Sequence, residues 1–142
     1  MAIPRYTSAP APRTGPSGEA PVKTSEKSVL VVDPDESVQA LFRHALELQG
    51  HEVRAVNGLE EAYHAIFTKT PDLCIIESHL PDGRGLSLVG HAHQTYGCEV
   101  ILVTSVPHLD LTTEAVRAGA SDVIEKPFDV NRLLFAVEAI LR

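Results

Sequence analysis

The 142-residue chain is predicted to fold as an α/β domain, a doubly wound parallel sheet with helices on both faces. Two observations carry that expectation. From Ser28 onward, short apolar runs alternate five times with stretches whose apolar residues recur at helical spacing. Apolar residues make up 44% of the chain, enough for one packed core at this length.

The elements follow in order. Val29-Leu30-Val31-Val32 reads as a buried strand ending at Asp33. Val38, Leu41, Phe42, Ala45 and Leu48 then fall at helical spacing, and Gly50 stops that helix. Glu52 to Val56 is a weaker strand, placed at a sheet edge. Asn57 is the expected N-cap of a second helix carrying Leu59, Ala62, Tyr63 and Ile66. Leu73-Cys74-Ile75-Ile76 is the third strand, ending at Glu77. The turn-rich run Pro81-Asp82-Gly83-Arg84-Gly85 leads into a helix with Leu86 and Val89. Val100-Ile101-Leu102-Val103 ends at Thr104, and a short helix with Ala115 and Val116 stops at Gly119. Val123-Ile124-Glu125 ends at Lys126-Pro127. Asp129 then caps a last helix with Leu133, Leu134, Val137, Ile140 and Leu141.

Charge and composition divide the chain. Residues 1–27 hold four basic against two acidic residues and five of the ten prolines, while residues 28–142 hold eight basic against seventeen acidic ones. A Pro/Ala-rich stretch of this kind cannot bury enough apolar area to offset its ordering entropy. Residues 1–26 are therefore expected to be a disordered tail and residues 27–142 the folded domain. A net charge of −7 argues against binding driven by nucleic-acid phosphates. No apolar run approaches the roughly 18–20 residues of a membrane span, and the start lacks a secretory pattern, so the expected location is cytoplasmic.

In open parallel sheets, function sits beyond the carboxyl ends of the strands. The residues that end strands one, three, four and five are Asp33, Glu77, Thr104 and Lys126. Any one of them alone reads as a cap or rim residue. Together they bring two carboxylates, a hydroxyl and an ammonium to one crevice. Carboxylates hold Mg²⁺ through hard oxygen ligands, and an ammonium and a hydroxyl receive phosphoryl oxygens. The set points to phosphoryl-transfer chemistry, with a carboxylate as acceptor.

Residues 28–142 resemble the receiver domain of bacterial response regulators, the family of the single-domain chemotaxis regulator. The resemblance rests on Val31-Val32-Asp33, on Pro71-Asp72-Leu73 through Pro81 and Gly85, on Val103-Thr104-Ser105, and on Ala118-Gly119-Ala120 through Lys126-Pro127-Phe128. It implies a flavodoxin-like sheet of strand order 2-1-3-4-5. It also implies two-component, phosphorelay-type signal transduction. In the family an Asp ending strand three accepts a phosphoryl group from a histidine kinase, and two acids after strand one help hold Mg²⁺. The strand-four Thr or Ser and the strand-five Lys contact the phosphoryl group. An aromatic three residues before that Lys reports the switch to an output surface on the fourth helix, fifth strand and fifth helix.

Asp33, Thr104 and Lys126 match that pattern, and three positions depart from it. The acceptor position holds Glu77, the second acid position Pro34, and the switch position Val123. Glu77 is one methylene longer than Asp, and a displacement of about 1 Å can cost roughly 100-fold in an in-line reaction. Pro34 has no ligating side chain, and Asp35 is one residue out of place. What remains for a metal is Asp33, Glu77 and the backbone carbonyl of His79, a set that would hold Mg²⁺ weakly if at all. No cofactor is expected.

The seven histidines show no ligand spacing: His91 and His93 point to different helix faces, and His44, His51, His64 and His108 read as surface or rim residues. Cys74 reads as a small core residue, and Ser78 as part of a loop rather than a nucleophile.

The expectation is therefore a stand-alone pseudo-receiver, a non-enzymatic signalling adaptor working through protein–protein contacts. Its partner would be a histidine kinase or a downstream signalling or motility protein. The output face would include Val116, Arg117, Val123, Glu125 and Arg132. Two alternatives stand beside it. One is a conventional phospho-receiver accepting at Glu77, an atypical or engineered acceptor. The other is a flavodoxin-like nucleotide or flavin binder, which needs a Gly-rich phosphate loop that Pro34-Asp35-Glu36-Ser37 does not supply.

Overall fold

The computed structural model describes residues 26–106 and 108–142. The expectation of a disordered tail over residues 1–26 falls, but for Glu26, outside them. Five parallel strands form the sheet: β1 (Ser28–Val32), β2 (Glu52–Val56), β3 (Leu73–Glu77), β4 (Glu99–Thr104) and β5 (Asp122–Glu125). Their order is β2-β1-β3-β4-β5, so the weak second strand is an edge strand, as is β5. A two-stranded hairpin, His79–Leu80 paired with Gly83–Arg84, follows β3. The helices are α1 (Glu36–Leu48), α2 (Leu59–Thr68), α3 (Gly85–Gly90, running on through a π-type turn at His91–Thr95), α4 (Leu109–Ala118) and α5 (Val130–Leu141).

Strand side chains alternate between faces, which divides the core in two. Val29, Val31, Ile75, Ile101 and Val103 pack with Phe42 and Leu46 of α1 and Leu133 and Val137 of α5. Leu30, Val32, Cys74, Ile76 and Leu102 pack with Ala62 and Ile66 of α2, Leu88 of α3 and Ala115 of α4. Each fully buried Leu, Ile or Phe contributes about 1.5–3 kcal/mol, which is why strands apolar on both faces are stable only between two helical layers.

Two expectations need correction. Leu41 and Leu48 are 45% and 72% exposed, and the inward line of α1 is Phe42, Ala45 and Leu46. Phe42 and Leu46 are a full i,i+4 step apart, and Leu41 and Leu48 lie about 100° round the helix from that line. Asn57 is not the cap of α2: Gly58 takes that position, without a side-chain cap bond of its own. The Asn57 side chain instead accepts a hydrogen bond from Gln39 Nε2 at 2.8 Å. The first amides of α2 find their acceptor elsewhere in the chain, on Asp82. Asp129 does cap α5, accepting from the Asn131 amide at 2.8 Å. Gly50 (φ 93°) and Gly119 (φ 121°) take left-handed backbone just past α1 and α4, conformations that strain other residues.

Candidate functional site

The parallel register delivers the strand ends to one edge. Val32 of β1 lies beside Ile76 of β3, and Glu77 beside Val103 of β4. Asp33, Glu77 and Thr104 therefore sit at nearly the same height, with Lys126 one residue beyond β5. Backbone bonds carry the alignment past the strands: the Ser78 amide donates to the Val103 carbonyl and the Lys126 amide to the Thr104 carbonyl.

The structure brings all four expected residues together. Lys126 Nζ donates to Asp33 Oδ2 at 2.8 Å and to Glu77 Oε1 at 2.6 Å. The carboxylates are almost wholly enclosed, with side chains 2% and 7% exposed, while Lys126 keeps 20%. Enclosure works against the Lys126 charge, but hydrogen bonds and charge from Asp33 and Glu77 outweigh it. The ammonium is held above the ordinary lysine range.

The second oxygens of the two carboxylates are also engaged. Asp33 Oδ1 accepts from the Asp35 amide at 2.9 Å. Glu77 Oε2 accepts from the His79 amide at 3.0 Å. Asp35 caps α1 through its own side chain, accepting from the Ser37 amide, and Pro34 is exposed. His79 presents its amide to Glu77, and its ring is turned toward Ser78.

Ser78 is the residue that sequence reasoning undervalued. It is buried, and its Oγ lies 2.8 Å from Thr104 Oγ1, 3.2 Å from Glu77 Oε2 and 2.9 Å from His79 Nδ1. A serine hydroxyl has one proton and two acceptor lone pairs, so it can join these groups in one network. Thr104 Oγ1 in turn accepts from the Val106 amide at 3.1 Å. Only adjacency to the acceptor position hinted at this role.

The output-face residues line the sheet edge at β5 and the flanking helices. Val116 is 57% exposed on α4, and Arg117 and Glu125 are exposed as well. Val123 is partly buried and packs on the α2–α4 side of the core. Arg132 is not a free cation: it grips Asp122 with two bonds of 2.9 and 3.0 Å.

Three of the histidines serve local structure. His91 stacks edge-on with Tyr63 and Tyr96, His93 Nδ1 lies 3.1 Å from the Cys98 carbonyl, and His108 Nδ1 accepts from the Leu111 amide at the start of α4. Among the described residues no group of three or more His, Cys, Asp or Glu is placed to hold a metal ion. No helix among them is long and apolar enough to cross a membrane.

Comparison with known proteins agrees with this architecture. The family model described as response regulator receiver domain matches residues 29–138. The chain is 32% identical over 119 residues to the response regulator protein PilR of Pseudomonas aeruginosa, covering 83% of this chain and 27% of PilR. It is 30% identical over 121 residues to the regulatory protein AtoC of Escherichia coli, covering 84% and 26%. The chain thus spans about a quarter of the length of these relatives. A two-component response regulator structure from Clostridium difficile superimposes with a TM-score of 0.79 at 27% identity, covering 82% of this chain and 97% of that one. A CheY-like receiver domain protein from Methanospirillum hungatei gives 0.79 at 30% identity, covering 82% and 94%. With the sheet order, the convergent strand ends and these matches in hand, the chain belongs to the response regulator receiver domain family of two-component signalling.

Proposed function

We propose that this receiver domain works without a phosphorylation cycle, as a pseudo-receiver that signals through protein contacts. The observation that carries the reading is the Lys126 ammonium bound to both Asp33 and Glu77. In the family pattern that lysine receives a phosphoryl oxygen. Here its two contacts are the carboxylates themselves, and the longer Glu77 arm makes the second one.

The residues present do not fit the Mg²⁺ that the family implies. Pro34 offers no oxygen where an acid would ligate, and the facing oxygens of Asp33 and Glu77 are shared with an ammonium. A divalent cation there would have to displace Lys126 and repel it.

Thr104 leans on Ser78 rather than on a phosphoryl group. Val123 is stiff at χ1 and too short to swing between inside and outside as an aromatic would. The α4–β5–α5 face is then held in one form, and its partner, a histidine kinase or a downstream signalling or motility protein, would read that form. Val116 would supply an apolar anchor on this face, with Arg117 and Glu125 as its charged rim. The competing reading, a conventional receiver phosphorylated at Glu77, is favoured by family membership alone.

Beryllofluoride with Mg²⁺, a phosphoryl mimic, tests the fixed-form reading by amide NMR. The expected spectrum is unchanged from Thr104 through α5. Saturable shifts on α4 and β5 would refute it.

A further inference from the structure

We propose that Asp82 is a positioning residue: by latching the tip of the hairpin after β3 to the N-terminus of α2, it keeps the His79 amide on Glu77 and Glu77 on Lys126. The inference rests on the closed Glu77–Lys126 pair proposed above.

The hairpin is tied at three points. At its tip, Asp82 Oδ1 accepts from the Leu59 amide at 2.8 Å and Oδ2 from the Glu60 amide at 3.1 Å. These are the first free amides of α2, and they cap that helix from 22 and 23 residues away. The same bonds, the Leu59 amide first, hold the Asp82 carboxyl below the usual carboxylate range. At its base, the Gly85 amide donates to the Ser78 carbonyl at 2.9 Å. On its flank, Arg84 lies 3.9 Å from Glu114 of α4, and Leu80 is buried in the core below.

The hairpin begins at His79, whose amide holds Glu77 Oε2. Glu77 Oε2 is therefore held by the His79 amide of the hairpin and by the Ser78 hydroxyl just before it, and Oε1 by Lys126. The amide is the anchor the hairpin carries, so freeing the hairpin tip loosens it, shifts the carboxylate toward its Ser78 contact and weakens the bond to Lys126. Gly58 shows how closely the latch is built. A Cβ there would stand 2.8 Å from Asp82 Oδ1, while its extended backbone suits any residue. Gly58→Ala thus displaces the Asp82 carboxylate without altering it.

The test is pulse acetylation of the full chain with acetic anhydride, read at Lys126 by peptide mass spectrometry, with exposed Lys69 as reference. Wild-type Lys126 should react more slowly than Lys69. Asp82→Ala and Gly58→Ala should each speed Lys126 labelling about fivefold, the scale on which losing a helix cap acts, and leave Lys69 unchanged. Asp82→Asn, which keeps one acceptor oxygen, should fall between. Val137→Ala, a core change on the opposite face, should leave Lys126 protected and so separates positioning from general loosening. If Gly58→Ala and Asp82→Ala speed amide exchange at Leu59 and Glu60 but leave Lys126 protected, the latch is only a helix cap and the proposal fails. If wild-type Lys126 already reacts like Lys69, the closed pair itself is refuted, and the positioning role with it.

Discussion

Replacing Lys126 by alanine removes the only cation that faces Asp33 and Glu77 among the described residues. Stranding one partner of a fully buried pair costs about 3–5 kcal/mol. A solvated pair is worth at most about 1 kcal/mol. The two carboxylates here are 2% and 7% exposed, close to the first limit, but Lys126 at 20% lies on a path for water, which would enter once the side chain is gone. The expected loss is therefore about 2–3 kcal/mol, between those limits. With a urea slope of about 1–3 kcal/mol per molar, the unfolding midpoint should fall by about 0.7–3 M. Lys126→Met, which keeps most of the apolar stem, should lose nearly as much, because the charge and not the packing is missing. In a Glu77→Gln background the cost of Lys126→Ala should shrink by about 1 kcal/mol or more, the signature of direct coupling. A loss below about 0.5 kcal/mol, or purely additive costs, would show that the ion pair does not hold the site together.

Three further outcomes follow from the same geometry. The Lys126 ammonium is held above the ordinary range, so the folded state binds its proton more tightly than the unfolded chain. That stabilisation is present below the free-lysine value of about 10.4 and is lost as pH rises through the raised folded value. The stability gap between wild type and Lys126→Met, measured by urea titration, should therefore be flat through neutral pH and close only in strong alkali. Glu77→Asp alone should restore little acceptance of a phosphoryl group from acetyl phosphate, whereas Glu77→Asp with Pro34→Asp should restore more than either change alone, as read by intact mass.

The sheet was legible because β1, β3 and β4 are dense apolar runs and the stretches between strands carry apolar residues at helical spacing. The order 2-1-3-4-5 came from the family resemblance, since alternation alone fixes parallel pairing and not which strand lies beside which. Leu41 and Leu48 misled because a leucine at near-helical spacing looks inward until the helix phase is set by Phe42 and Leu46. Convergence of Asp33, Glu77, Thr104 and Lys126 was readable because each ends a strand in a parallel repeat. Their connecting groups were not. Ser78 joins Glu77 to Thr104 across 26 residues of sequence, and Asp82 caps a helix 22 and 23 residues before it. No local pattern encodes contacts at such separations. Asn57 was the better cap by residue type, but its side chain is committed to Gln39.

The central claim is that the site is closed by its own lysine and accepts no phosphoryl group. The most direct measurement is intact mass of the full chain after incubation with acetyl phosphate and Mg²⁺, beside a receiver that retains the acceptor Asp. The account predicts no mass gain for this chain while the reference protein gains one phosphoryl group. A stoichiometric gain of one phosphoryl group that disappears in Glu77→Ala would contradict it.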